Sequence, residues 1–253
     1  MTDPTVRAVP TLEAPPAVAA VDRGIVRALA YADVFDYPLG AREVHRYLVQ
    51  VTAPPPVVKG RLGALVASRR IARGGDLYTL PGRESLVATR RRREETAARL
   101  WPEAIRWGRA LAGLPFVRMV AVTGSLASDN VEPGGDIDYL VVTAAGRVWV
   151  GRAMTNLVRR RALRRGVRLC PNFVLSEESL LIRDRNLYTA HELAQMVPIA
   201  GRAVYRRMIA TNGWTREYLP NLSAEARLRG DVEGGKGWLA RGTEAVLRTP
   251  VGA

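Results

Sequence analysis

Along the chain, hydrophobic and polar positions change period several times, and each change predicts an element. Val21 to Tyr31 carries Ile25, Leu29 and then Ala32 at helical spacing, and the stretch Asp36-Tyr37-Pro38-Leu39 ends that helix. Ala41 to Val49, with Val44 and Leu48 four apart, predicts a second helix. After Pro54-Pro55-Pro56, Val58 to Arg69 predicts a third, with Leu62, Leu65 and Val66 inward. Ile71 to Arg73 and Leu77 to Leu80, joined by Gly74-Gly75-Asp76, predict a short hairpin. Three short helices and a hairpin over residues 21–83 form a winged helix-turn-helix pattern. Lys59, Arg61, Arg69, Arg70 and Arg73 could meet nucleic-acid phosphates, yet the third helix offers Gly63, Ala64 and Ala67 where base readers carry long polar side chains.

Glu84 to Gly113 reads as a long charged linking helix in which Pro102 either sits within the helix or starts a new turn that makes the segment two helices. Its run Arg90-Arg91-Arg92-Arg93, followed by Glu94-Glu95, reads as a solvated face that compensates its own charge. From residue 114 to 222 the period alternates between strand and helix. Phe116 to Thr123 and Ile137 to Thr143 are apolar, β-branched strand runs; Arg147 to Arg165 is a basic helix; Val167 to Leu175 is a third strand; Leu187 to Met196 and Arg202 to Ala210 are helices. The Pro-containing residues 1–20 read as a flexible leader with order starting at Val21. Residues 223–253 read as a Gly- and Arg-rich tail with a last helix from Trp238 to Leu247.

The chemistry concentrates between the two strand runs. Gly124-Ser125 follows the first, and Asp136-Ile137-Asp138 opens the second. Side chains alternate across a strand, so Asp136 and Asp138 point to one face and can converge on a divalent cation, Mg²⁺ or Mn²⁺. A Gly-Ser turn lets backbone amides approach phosphate oxygens, and a helix starting there would aim free N–H groups at them. Asp129 and Glu132 in the spacer read as loop polarity. A plain strand-turn-strand with solvated acids is the competing reading.

Composition changes this picture only modestly. The net charge of +14 suggests a polyanionic partner, but of 38 basic residues all except Lys59 and Lys236 are arginines. That skew fits a GC-rich coding bias and weakens the inference. Arg159, Arg160, Arg161, Arg164 and Arg165 gather at the end of the basic helix, where the helix dipole favours cations; phosphate binding is the alternative. Cys170 is the single cysteine, and with His45 and His191 it has no zinc-ligand spacing. No apolar run reaches the roughly 20 residues that span a bilayer, and no signal-peptide layout opens the chain, so the expectation is a soluble cytoplasmic protein without membrane contact.

The apolar strand, Gly124-Ser125, the spacer and Asp136-Ile137-Asp138-Tyr139-Leu140 resemble the nucleotidyltransferase superfamily typified by DNA polymerase beta. With Tyr31 to Leu39, Cys170-Pro171-Asn172-Phe173 and Asp184 to Leu193, the order is similar to a prokaryotic stand-alone group with a winged-helix region ahead of the core. The resemblance implies an α+β fold, in which a mixed β-sheet core flanked by helices follows the small winged helix-turn-helix domain. It also implies transfer of an NMP from a nucleoside triphosphate to an acceptor such as a nucleic acid, a protein or a small molecule. Asp136 and Asp138 would be catalytic metal ligands, and Gly124 and Ser125 would bind the nucleotide. Active members carry a third carboxylate on a later strand. Val167 to Leu175 contains none, and Asn172 stands nearest the expected third position, on a face that alternation extends to Arg168, Cys170 and Val174. Glu177 and Glu178, just past the strand, read as a solvated exit. A catalytically weak nucleotide sensor and a winged-helix DNA-binding regulator are the alternatives.

Overall fold

The structure, a computed structural model, describes residues 17–222. The predicted last helix and tail lie outside these residues, as does most of the leader. The first helix, α1 (Val18–Asp33), begins three residues before the expected start and buries Val21, Ile25, Ala28, Leu29 and Ala32. Residues 18–20 are therefore helical and belong to the folded part. A two-residue strand the hydrophobic pattern does not announce, β1 (Leu39–Gly40), leads into α2 (Ala41–Arg46). The Gly40 N–H donates to Glu43 Oε2 at 2.8 Å, which satisfies one of the amide donors that helix starts leave open. Prolines at the first positions of α3 (Pro55–Ala67) fit a helix start, where no N–H partner is needed, and Val58, Leu62 and Leu65 form its buried stripe. Then β2 (Ala72–Gly74) and β3 (Leu77–Thr79) complete a three-stranded antiparallel sheet of order β1-β3-β2.

The linking segment is one helix, α4 (Leu86–Ala112), with Pro102 inside it. Of the two readings of Pro102, the one that keeps it within a single helix holds. A proline within a helix costs roughly 3 kcal/mol, but Trp101, Ala104, Trp107 and Leu111 around it are buried against the main sheet. Burying large side chains of this kind gives about 1.5–3 kcal/mol each, enough to hold the turn helical. The arginine run also differs from its expected role. Arg91 is an exposed compensated residue, paired with Glu94 at 2.9 Å and with Asp76. Arg90 is buried, and its guanidinium meets Glu43 at 2.8 and 3.0 Å, Glu94 at 2.9 Å and the Pro38 carbonyl, while lying 4.0 Å over the Tyr37 ring. Arg93 reaches Glu132 at 2.6 Å and the Phe35 carbonyl at 3.2 Å. Both arginines join α4 to other parts of the fold, because their partners come from distant segments.

The main sheet has four strands, β4 (Val117–Thr123), β5 (Ile137–Thr143), β6 (Leu169–Ser176) and β7 (Val197–Ala200), in the order β6-β5-β4-β7. β4 runs antiparallel to β5 and β7, and β6 runs parallel to β5, so the sheet is mixed. A short turn of helix, α5 (Gly124–Ala127), follows β4, and α6 (Val148–Leu163) makes the crossover from β5 to β6. α7 (Leu187–Gln195), α8 (Arg202–Thr211) and α9 (Thr215–Tyr218) complete the described chain.

Alternation splits the sheet residues between two apolar clusters. Val120, Val122, Ile137, Tyr139, Val141 and Leu169 pack with Ala97, Trp101, Trp107 and Leu111 of α4 and Ala162 of α6. Met119, Ala121, Leu140 and Val142 belong to the other cluster, with Met196, Tyr205 and Met208. That cluster runs on without interruption through α1, α2 and α3. No helix among the described residues is long and apolar enough to cross a membrane.

Candidate functional site

The site forms where β4 and β5 open at the sheet's end. Asp138 pairs across the antiparallel ladder with Thr123 and across the parallel one with Cys170. One ligand atom each from Asp136, Asp138 and Cys170 lies within 4.8 Å of the others. The two predicted acids do converge, and a thiol that sequence spacing to the histidines did not single out joins them. Burial first, and then the neighbouring charge of Asp136, push the Asp138 carboxyl up to about 6. Burial and the same two carboxylates also hold the Cys170 thiol above its ordinary range, while the positive charge of Arg159 on α6 opposes this. Two carboxylates and a thiol this close together fit a divalent cation, which would lower the energy of both carboxylates together.

Asn172 is turned toward the acids. Its Nδ2 donates to Asp138 Oδ1 at 2.6 Å, and its Oδ1 accepts from the Cys170 thiol at 2.9 Å. Arg168 to Val174 do not keep strict alternation, however. The β5–β6 register shifts between Asp138 and Leu140, so that Leu140 faces Phe173 and Val141 faces Val174. One extra residue in β6 moves Val174 to the opposite face, against the α4 and α6 cluster. Cys170 and Asn172 precede the shift and stay with Asp138.

Gly124 has a left-handed φ of +63°. A Cβ there would collide with the Asp138 carboxylate, with Asp138 Cγ at 3.1 Å and Cβ at 3.3 Å. The glycine is thus demanded by the acid behind it as well as by any phosphate in front. Ser125 is exposed, and both residues border a cavity of about 200 Å³. α5 is a single short turn, and the Gly124 N–H donates to the Glu192 carboxylate on α7.

Glu192 is the site residue that sequence reasoning missed. It is close enough that burial, followed by the Asp138 charge, raises its carboxyl above the ordinary range. It lay inside the quoted stretch Asp184 to Leu193, but helical spacing alone does not tell which helix face meets another element. The spacer acids also do more than predicted. Asp129 accepts from Trp101 Nε1 at 2.7 Å, and Glu132 accepts from Arg93, so both fasten the spacer to α4. Glu177 lies 3.8 Å from Arg118 and 3.7 Å from Arg207, at the far end of β6.

Among the candidate phosphate contacts of α3 and the hairpin, Arg61 makes two 2.8 Å bonds to Asp22, and Arg73 donates to the Gly75 carbonyl. Comparison with protein-family models, with curated proteins and with solved structures found no match for this chain.

Proposed function

We propose that this protein is a metal-dependent nucleotidyltransferase that moves an NMP from a nucleoside triphosphate to an acceptor. The observation that carries this reading is the convergence of Asp136, Asp138 and Cys170 within 4.8 Å, beside a glycine whose missing side chain leaves room for the Asp138 carboxylate. The element order α1, β1, α2, α3, β2, β3 supports a winged-helix region, and the mixed sheet with its acidic strand end supports a nucleotidyltransferase-like core.

Asp136 and Asp138 would hold Mg²⁺ or Mn²⁺, with Cys170 in reach. When bound, the ion supplies charge neutralisation on the phosphates and alignment of the attacking and leaving oxygens. The protein's own groups do the rest. Asn172 orients Asp138 through its amide N–H and, being an amide, takes no proton. The Gly124 and Ser125 backbone receives the outer phosphates once Glu192 yields the Gly124 N–H. Arg159 adds positive charge near Cys170. The acceptor oxygen forms a bond to the α-phosphorus, the bond to the bridging oxygen breaks, and pyrophosphate leaves. The acceptor's proton passes to the Glu192 carboxylate, whose burial and the neighbouring Asp138 charge favour its protonated form.

Incubating the protein with each labelled triphosphate, Mg²⁺ or Mn²⁺ and candidate acceptors tests this. Asp136→Asn and Asp138→Asn are expected to abolish pyrophosphate release while leaving the circular dichroism spectrum unchanged, a loss of several kcal/mol in catalysis. Near wild-type turnover in either variant would refute the assignment. A nucleotide sensor is the second reading, favoured by the amide at the third position; it requires triphosphate affinity without pyrophosphate release. A DNA-binding regulator gains little from α3, whose exposed face presents Lys59, Gly60, Gly63 and Ala64.

A further inference from the structure

The crossover helix α6 is covered on one side only. Gly151, Thr155 and Ala162 turn toward the sheet and are buried. With 3.6 residues per turn, Trp149, Ala153 and Leu157 line up on the opposite side, and Leu163 falls within the same outward half. Trp149 is 82% exposed, Leu157 64% and Leu163 55%. One exposed apolar side chain is ordinary on a protein surface, but an indole and two leucines sharing a helix face form a patch that folding has left in water.

The charges around this patch are all of one sign. Arg152 and Arg159 flank the stripe on one side and Arg161 on the other, while Arg160, Arg164 and Arg165 continue it toward the helix end. All six are exposed, and none forms an ion pair among the described residues. No aspartate or glutamate occurs between Asp138 and Glu177. Coding bias accounts for arginine in place of lysine, but not for the missing acids; elsewhere arginines have acidic partners, as Arg61 has Asp22 and Arg83 has Asp33. The helix dipole favours cations in the last turn only, and Arg152 lies in the first half of α6. Apolar and cationic side chains on one exposed helix face suit an anionic bilayer surface, where the apolar ones enter the acyl boundary and the guanidinium groups stay with the lipid phosphates. A second copy of the chain would set like charge against like. A nucleic acid would meet the arginines, but its bases stack on aromatic faces and leave the leucines in water. We infer that the outward face of α6 docks on an anionic lipid surface. The expectation of no membrane contact rests on the absence of a span, and a helix lying in the interface needs none. This docking does not depend on the transfer reaction.

The test mixes the full-length protein with vesicles of phosphatidylcholine, with or without phosphatidylglycerol, and measures co-sedimentation. Binding is expected with the anionic vesicles and not with the neutral ones. Trp149→Ala and Leu157→Asp should each weaken it at least about tenfold, the worth of returning one large apolar side chain to water. Arg160→Gln should weaken it roughly fivefold, the share of one cation near an anionic surface. All three positions are exposed, so the variants should keep the wild-type Tm. A second readout locates the face: in a Trp238→Phe background, lipids brominated in their acyl chains should quench the tryptophan fluorescence, and Trp149→Phe should abolish the quenching, because Trp101, Trp107 and Trp214 are buried. Should one variant fail to fold, the others and the quenching decide. Absence of binding to anionic vesicles, undiminished binding by both Trp149→Ala and Leu157→Asp, or quenching that survives Trp149→Phe would overturn the inference. Binding of a single-stranded RNA that depends on Trp149 and Arg160, and that anionic vesicles do not compete away, would overturn it too and assign the face to nucleic acid.

Discussion

Replacing Gly124 with alanine tests the geometry of the acid site, because the same backbone conformation occurs elsewhere without the acid. Gly75, in the β2–β3 turn, also has φ +63°, and nothing lies within 4 Å of where its Cβ would be. Alanine at either position incurs the left-handed penalty of roughly 1–2 kcal/mol. At Gly124 alone the new methyl collides with the Asp138 carboxylate, which must turn away and give up its 2.6 Å bond from Asn172. A hydrogen bond to a charged group is worth about 1.5–3 kcal/mol. Gly124→Ala should therefore cost about 1.5–3 kcal/mol more than Gly75→Ala, a further Tm decrease of roughly 5–10 °C for a domain of this size. Thermal and urea unfolding of the two variants measure the difference. Mn²⁺ titration supplies a second readout, since Gly124→Ala should lose at least about tenfold in affinity while Gly75→Ala keeps it. Equal destabilisation, or intact Mn²⁺ binding in Gly124→Ala, would show that the turn does not press on Asp138.

Two further outcomes follow from the same cluster. Because the Asp138 carboxyl titrates near 6, a bound cation must displace its proton below that pH; Mn²⁺ affinity should be level above pH 6 and fall about tenfold per unit below it, as calorimetry at constant ionic strength can check. Asn172→Asp replaces the donor to Asp138 with a facing carboxylate, so it should lose about 1–3 kcal/mol without metal and recover with Mn²⁺. If that variant's transfer rate also rises, on the order of 10²-fold, the third position is catalytic; an unchanged Tm with and without Mn²⁺ would mean that residue 172 does not face the acids.

The parts that were legible in the sequence are those set by local period. β4 and β5 follow from their β-branched runs, and Asp136 and Asp138 fall together because strand alternation alone places them so. Asn172 was also within reach, since it precedes the register shift. Val174 was not, because a one-residue bulge arises from how β6 fits against β5 and leaves no mark in composition. β7 escaped notice for a different reason: it has four residues, contains Pro198 and lies at the sheet edge, where a missing N–H is tolerated. Arg90 read as one of four like surface arginines, and only the approach of Glu43 and Tyr37 from another segment makes it a buried residue. Glu192 shares that history. Its carboxylate reaches the site through the packing of α7 on α5, a long-range event with no local signature.

The uninterrupted apolar cluster that runs from α1–α3 into the main sheet has a consequence for how the molecule can be divided. Tyr37 donates to the Ser128 carbonyl, Arg46 donates to the Ala194 carbonyl, and the Gln50 N–H donates to the Tyr218 carbonyl. Cutting the chain between residues 83 and 84 would strip those bonds and split the apolar cluster that the two parts share. The N-terminal helices are therefore not a detachable module that could be shuffled onto another core. They form one wall of the cavity beside Gly124 and Ser125, and the folded chain should melt in a single cooperative transition, with cavity and acid pair lost at the same temperature.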